Sequence, residues 1–279
     1  MEKQTVFITG SASGFGMLAA VELAKRGCQV IASMRNLEKA EKLKSLCSMH
    51  QMEDRVNIVQ LDVTRPNGFP DLLNDLPPVD ILINNAGFAM GGFCEEVSLE
   101  EYKEQFETNF FGLIAVTQAF LPAMRARKKG TIINISSISG KVGFPGLSPY
   151  VASKHALEGW TECLRMEVKP FGIDVFLIEP GSFKTSIWST GKTIARNSLV
   201  ESSPYSFFKK AILHELEKGE AKYEDPQIVA SLIADLCMSK EAGRLRYPVG
   251  KGVKTTLFLK NMIPWKKWEQ IFLKKLLGK

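Results

Sequence analysis

The chain has 279 residues, 45% hydrophobic and 24% charged, a composition that argues against disorder and supports a substantial core. Five scattered cysteines without a CxxC pair, and three separated histidines, speak against a disulfide framework or a zinc site, so no metal is expected. The net charge of +6 is uneven: residues 251–279 carry +7 and the remainder −1, which excludes the uniformly basic face of a nucleic-acid binder.

The N-terminus runs at once into Thr5-Val6-Phe7-Ile8-Thr9, with no basic and then apolar leader ahead of it. No stretch approaches the ~18 consecutive apolar residues of a membrane span. A soluble cytoplasmic chain is expected. Candidate strands lie at 4–9, 29–33, 55–61, 80–84, 130–136 and 173–179, and candidate helices at 15–26, 37–47, 99–127 and 149–169. Strands such as Ile81-Leu82-Ile83 are apolar on both parities, as in a parallel sheet covered on both faces. Strict βα alternation predicts an α/β fold with a doubly wound parallel sheet, a Rossmann fold, in one domain over 1–279. After Pro180-Gly181 the alternation stops. Residues 182–224 read as an irregular insertion with aromatic and helical character (Trp188, Tyr205, Phe207, Phe208), a segment of the kind that forms lids. A helix near 226–238, a strand near 245–249 and a C-terminal helical extension follow. In that extension Trp265, Trp268, Ile271, Phe272 and Leu276 fall at helical spacing after Pro264, with lysines largely on the other faces. The pattern is that of a helix packed over a substrate mouth, with peripheral membrane contact as a second role.

The first strand leads into Thr9-Gly10-Ser11-Ala12-Ser13-Gly14-Phe15-Gly16 and then a helix. Glycines at this turn let the backbone approach a pyrophosphate seated on the helix N-terminus. The GxxxGxG spacing differs from the commoner GxGxxG. The second strand ends in Met34-Arg35, without the acid that binds a ribose 2′-hydroxyl, and a guanidinium there suits a 2′-phosphate. NADP(H) is therefore the expected cofactor. Asp62 and Val63 close the third strand, and Asn84-Asn85-Ala86-Gly87 the fourth, both at the carboxyl edge where such sheets bind ligands. A cap for Asp62 and loop bracing for Asn84-Asn85 are compatible local roles.

Tyr150 and Lys154 stand at i and i+4 of a predicted helix, where an ammonium favours the phenolate and makes Tyr a usable acid/base. The same spacing occurs at Tyr205/Lys209 and Tyr247/Lys251. The latter is broken by Pro248 and Gly250, and the former lies in the insertion without a strand-borne hydroxyl. Only Tyr150 follows a strand that ends in a serine, Ser137.

With these elements together the chain resembles the short-chain dehydrogenase/reductase family over nearly its whole length. The resemblance rests on TGSASGFG at 9–16, LDVT at 61–64, NNAG at 84–87, Asn109, Ser137 thirteen residues before Tyr150, Lys154, and PG at 180–181. The stretch Lys141 to Trp160, Arg35 and the long C-terminus resemble the hydroxysteroid and retinol dehydrogenase branch. The resemblance implies an enzyme moving a hydride between the nicotinamide and a lipophilic ketone, aldehyde or secondary alcohol. In it Tyr150 would exchange the proton, Ser137 would hold the reacting oxygen, Lys154 would grip the nicotinamide ribose, and Asn109 would anchor a relay water. It implies cofactor contacts from Gly10, Ser11, Ser13, Gly14, Phe15, Gly16, Arg35, Asp62, Val63, Asn85, Ala86, Gly87, Tyr150, Lys154, Pro180, Gly181, Phe183 and Thr185, and a homodimer or homotetramer. Two features depart from the pattern: Ser13 stands where NADP-preferring members often carry a basic residue, and the tail is longer and more basic than in short members. Val142, Phe144, Pro145 and Leu147 suggest an apolar pocket. Two alternatives stay open, a reductase of carrier-bound acyl groups and a catalytically silent NADP(H)-binding regulator.

Overall fold

The computed structural model describes residues 3–185, 187, 191–220, 223–239 and 243–278. Its strands are β1 (Thr5–Ile8), β2 (Gln29–Met34), β3 (Val56–Gln60), β4 (Ile81–Asn84), β5 (Ala89–Gly91), β6 (Gly130–Ile135), β7 (Ile173–Pro180), β8 (Lys192–Ile194) and β9 (Arg246–Val249). Its α-helices are α1 (Gly14–Lys25), α2 (Glu41–Met49), α3 (Phe69–Asn74), α4 (Leu99–Phe106), α5 (Gly112–Arg127), α6 (Ser148–Val168), α7 (Ser206–Glu220), α8 (Gln227–Met238), α9 (Val253–Met262) and α10 (Trp265–Leu277).

Seven strands form one sheet in the order β3-β2-β1-β4-β6-β7-β9, every pair parallel. The order reverses between β1 and β4, which opens a crevice at their carboxyl ends. This is the doubly wound Rossmann architecture. Alternation along each strand divides the core. On β1, Val6 and Ile8 pack with residues of α1, α2 and α8, while Phe7 points to the opposite face, against α5 and α6. There Phe7 meets Phe120 with ring centroids 4.7 Å apart. Each such fully buried side chain contributes about 1.5–3 kcal/mol. Pro248 sits in β9, at an edge of the sheet, where a missing N–H is tolerated.

The predicted strands appear as β1–β4, β6 and β7, each within one residue of its expected ends, and β9 closes the sheet. Three expectations change. The helix expected over 99–127 is interrupted by a π turn at Glu107–Phe111. The insertion is more regular than expected: it contains β8, which pairs with β5 in a separate two-stranded sheet, and the 15-residue α7. Within it, Trp188 lies outside the described residues. The tail holds two helices, α9 and α10, where one was predicted. Among the described residues no helix is long and apolar enough to cross a membrane.

Candidate active site

The glycine turn is built by sterics. Gly10 adopts φ +72°, and a Cβ there would lie 2.7 Å from Ala86 Cα. A Cβ on Gly16 would lie 2.6 Å from the carbonyl of Gly10 and collide with the Asn85 amide. Gly14, at φ +57°, opens α1 and has only Thr185 within reach, 3.8 Å from where its Cβ would stand. Ser13 is the N-cap residue, and no acid occupies the first turn of α1. A helix N-terminus with a close backbone approach and no competing carboxylate suits an anionic phosphate. The residues present therefore fit a dinucleotide.

Asn85 stitches this turn to β4, donating from Nδ2 to the carbonyls of Thr9 (3.0 Å) and Gly10 (2.9 Å). Thr9 Oγ1 accepts from the backbone of Asn85 and Ala86, each at 3.0 Å. Asn84 lies deeper, donating to Thr117 and Asn134 at 2.9 Å each. The bracing role expected for the asparagine pair is thus what the geometry displays. Ser11 is turned inward, its hydroxyl donating to the Ile8 carbonyl at 3.2 Å, and the Val63 side chain belongs to the core. Both can face a ligand only through backbone. Asp62 accepts from the backbone N–H and hydroxyl of Thr64 at 3.0 and 2.7 Å. Burial opposes its ionisation, yet those bonds and the charges of Arg35 and Arg65 hold its carboxyl below the usual range. Arg35 is exposed at the end of β2.

A cavity of about 60 Å³ gathers Phe15, Asn85, Gly87, Asn109, Ser137, Tyr150, Lys154, Pro180, Gly181, Phe183 and Thr185. Nine candidate residues lie elsewhere on the same edge or beneath it: Gly10, Ser11, Ser13, Gly14, Gly16, Arg35, Asp62, Val63 and Ala86. The wall also includes Phe88, Ile135, Ser136 and Ile187, which sequence reasoning missed. Phe88 and Ser136 adjoin motifs already singled out, and adjacency was their only signal.

Tyr150 is 4% exposed, at the start of α6. Burial pushes its phenol up to about 12, while a hydrogen bond with Ser137 pulls the other way. The Lys154 ammonium stands 5.8 Å from the Tyr150 ring centroid and donates to the Ile135 carbonyl at 2.7 Å. Burial lowers Lys154 to about 8, against the pull of Glu158 one turn further along α6. The expected lowering of the phenol by Lys154 is therefore not the balance in this structure: desolvation wins for both groups. Asn109 occupies the π turn, a feature that often marks functional sites. Its side chain holds the Phe88 backbone at both ends, at 3.1 and 3.0 Å, and reaches Ser153 at 3.3 Å. Its amide is thus committed to protein partners.

Ser137 ends the run from β6, its hydroxyl accepting from Ser139 N–H at 3.1 Å. It also lines a second cavity of about 410 Å³, and Gly181 borders both. Phe144, Pro145 and Leu147 line that cavity as expected, whereas Val142 is buried in the protein. Further walls come from α7 (Ile212, Leu216) and α10 (Phe272, Leu276). Phe93 lines it too and stacks on Tyr205 with centroids 4.5 Å apart. Tyr205/Lys209 does lie at a helix start, but a hydrogen bond to Glu95 raises the Tyr205 phenol, and Lys209 faces the Ser198 carbonyl at 3.3 Å. Tyr247 packs edge-on against Phe176.

The doubly wound sheet and the glycine turn are those of a dinucleotide-binding protein, and the relatives make it an oxidoreductase working on the CH–OH/C=O pair. The family model described as short chain dehydrogenase matches residues 4–193, and the chain belongs to the short-chain dehydrogenase family. It is 49% identical to the uncharacterized oxidoreductase YusZ of Bacillus subtilis, with 99% of each chain covered. It is 34% identical to a 3-ketodihydrosphingosine reductase of Bacteroides thetaiotaomicron (86% of each). It is 38% identical to human retinol dehydrogenase 8, over 71% of this chain and 64% of the relative, which supports the predicted branch. A short-chain dehydrogenase from Streptomyces avermitilis superposes with TM-score 0.81 at 32% identity, with 97% of each chain covered. ElxO with NADP bound superposes with TM-score 0.74 at 26% identity, covering 91% of this chain and 99% of the other.

Proposed function

We propose that the protein is an NADP(H)-dependent oxidoreductase of lipophilic ketones, aldehydes or secondary alcohols. The observation that carries this reading is the position of Ser137, shared by the small cavity holding Tyr150 and Lys154 and the large, mostly apolar one beside it. An apolar substrate filling the larger space has its polar carbon–oxygen group directed to the cluster of Ser137, Tyr150 and Lys154 at its inner end. A reductase named for 3-ketodihydrosphingosine and a dehydrogenase named for retinol among the relatives support an apolar substrate. NADP-bound ElxO supports the cofactor, together with Arg35 at the end of β2.

The bound nicotinamide supplies the hydride acceptor or donor. Tyr150 gives its proton to the substrate oxygen in reduction and takes it in oxidation, and a phenol held protonated by burial is prepared for the reductive direction. Ser137 hydrogen-bonds the same oxygen. Lys154 places positive charge beside the developing phenolate and has donors besides the one given to Ile135. Asn109 acts by fixing the loop at Phe88, which borders the small cavity. The whole chain serves as one catalytic domain, with 182–224 as substrate loop, and assembles as a homodimer or homotetramer.

The test is a panel of methyl ketones of increasing chain length, with fatty aldehydes and acyl thioesters, assayed with NADPH and with NADH. Each buried methylene contributes about 0.8 kcal/mol, so kcat/KM should climb about fourfold per carbon until the cavity is full. Preference for acyl thioesters would favour the carrier-bound alternative, and absence of turnover throughout would favour the regulator.

A further inference from the structure

Helices α9 and α10 follow the sheet and carry a concentration of apolar side chains that the fold leaves in solvent. Phe258 is 63% exposed, Met262 67%, Trp265 63% and Ile271 55%. Along α10 none of the described residues is buried. Such a face is costly in water unless something covers it. The charge on the same two helices is one-sided. Residues 251–279 hold eight lysines against Glu269 alone, while the rest of the chain is nearly neutral. The two kinds of residue are interleaved: the Lys260 ammonium stands 4.2 Å from the centroid of the Trp265 ring and 5.5 Å from that of Trp268. Indoles beside ammonium groups, with bulky apolar residues between, match the chemistry of a bilayer interface.

The other side of α10 has a different task. Phe272 and Leu276 line the 410 Å³ cavity, Phe272 meets Phe144 at 5.9 Å, and α10 packs on α7. One helix therefore borders the substrate cavity and presents exposed apolar side chains.

We propose that α9 and α10 dock on the surface of an anionic lipid bilayer, with Phe258, Met262, Trp265 and Ile271 inserted at the headgroup level and the lysines among the lipid phosphates. An anionic bilayer fits better than a second copy of the chain, because a +7 segment placed against its own counterpart doubles a like charge. Docking in this way sets the α7–α10 wall of the cavity beside the lipid, where an apolar substrate partitions. The use of the surface for substrate loading rests on the activity proposed above; the docking itself does not.

The experiment is cosedimentation of the full chain with vesicles of phosphatidylcholine alone or mixed with phosphatidylglycerol, at low and high salt. Binding is expected to the mixed vesicles, to fall at least tenfold in high salt, and to be weak on phosphatidylcholine alone. The triple variant Phe258→Ser, Trp265→Ser, Ile271→Ser should lose binding at least tenfold, and Lys254→Gln with Lys266→Gln and Lys267→Gln should lose it several-fold. These positions do not line the cavity, so turnover of a short water-soluble ketone should stay at the native level in both. That readout separates failure of docking from failure of the enzymatic reading. No binding to mixed vesicles at low salt, or equal binding to neutral ones, overturns the proposal. A concentration-dependent dimer that the triple variant abolishes, with vesicles ignored, assigns the face to a second copy and overturns it equally.

Discussion

The two walls around Ser137 are made in different ways. On the cofactor side, the glycine turn, Asn85 and Thr9 are locked by backbone geometry, with hydrogen bonds from 2.9 to 3.0 Å and glycines whose replacement would collide with main chain. On the side proposed for substrate, the cavity is enclosed by side chains of β8, α7 and α10, and Phe208 of α7 meets Phe93 and Phe272 of α10 meets Phe144 across long stretches of chain. The first wall must place reacting atoms reproducibly, and strand ends with tight turns do that. On the proposed function the second must accept an apolar shape, and among the described residues its helices α7 and α10 contribute none to the small cavity. The contrast predicts that chemistry and substrate choice are separable by mutation.

The sharpest separation is Tyr150→Phe. It preserves the ring and the packing of α6 but removes the proton, so turnover should fall by about 10²–10⁴-fold for every substrate while NADPH still binds. Fluorescence titration of NADPH alongside steady-state rates checks both halves. Tyr205→Phe, which keeps the stack on Phe93, and Tyr247→Phe should retain most activity. Near-native turnover by Tyr150→Phe would remove the distinction between the two walls.

The same contrast explains what could be read from sequence. β1–β4, β6 and β7 were legible because strands buried on both faces are continuous apolar runs, and the glycine turn because only certain backbone conformations bring a strand directly into a helix. Tyr150 and Lys154 were singled out by elimination among three copies of one spacing and Ser137 by the strand before them, and the structure gathers the three around one cavity. The π turn at Glu107–Phe111 was not, since one widened turn leaves the apolar periodicity of a long helix almost unchanged. β5 and β8 are three residues each, too short for any period to show. The length of α7 was hidden because the segment leading into it is anchored from afar. Buried Glu96 receives the hydroxyl of Ser198 at 2.6 Å and that of Ser203, partners a hundred residues away. The direction of the Tyr150 shift was missed for a related reason: spacing displays the neighbouring charge but not the burial that outweighs it.

Burial of Lys154 sharpens the picture of the rigid wall through stability. Its folded value is about 8, below its ordinary 10.5. Between those values the unfolded chain holds a proton that the native protein has released, so stability rises with pH across the window. The contribution is full above 10.5 and is lost as pH falls through about 8, a difference of about 3 kcal/mol. Urea unfolding of the protein without cofactor at pH 7.5 and 10, beside Lys154→Met, isolates it from other titrating groups. The native protein should gain on the variant as pH rises; a constant difference would mean that Lys154 is solvated in the folded state.

The smallest effect falls at the rim of the cofactor wall, where the rigid edge gives way to an exposed side chain. Arg35 follows Met34 at the end of β2, its carbonyl accepting from Gln60 at 3.1 Å, so the backbone is fixed while the guanidinium stays in solvent. No acid stands at Met34 to bind a ribose 2′-hydroxyl, and Asp62, just past the end of the adjacent strand β3, is ionised with Arg35 among the charges that keep it so. A charge-assisted hydrogen bond to a 2′-phosphate is worth about 1.5–3 kcal/mol, or one to two decades in affinity. Arg35→Ala should raise the KM for NADPH about 10–100-fold and leave that for NADH nearly unchanged. Because the side chain is exposed and remote from Tyr150, kcat at saturating cofactor should stay within about twofold. Arg35→Lys should recover only part of the loss, since a point charge does not reproduce the planar fork. If the native enzyme used both cofactors equally, or if Arg35→Ala lowered kcat instead of raising KM, the guanidinium would belong to the positioning of the reacting groups. The cofactor wall would then extend further from Tyr150 than its rigid turn suggests.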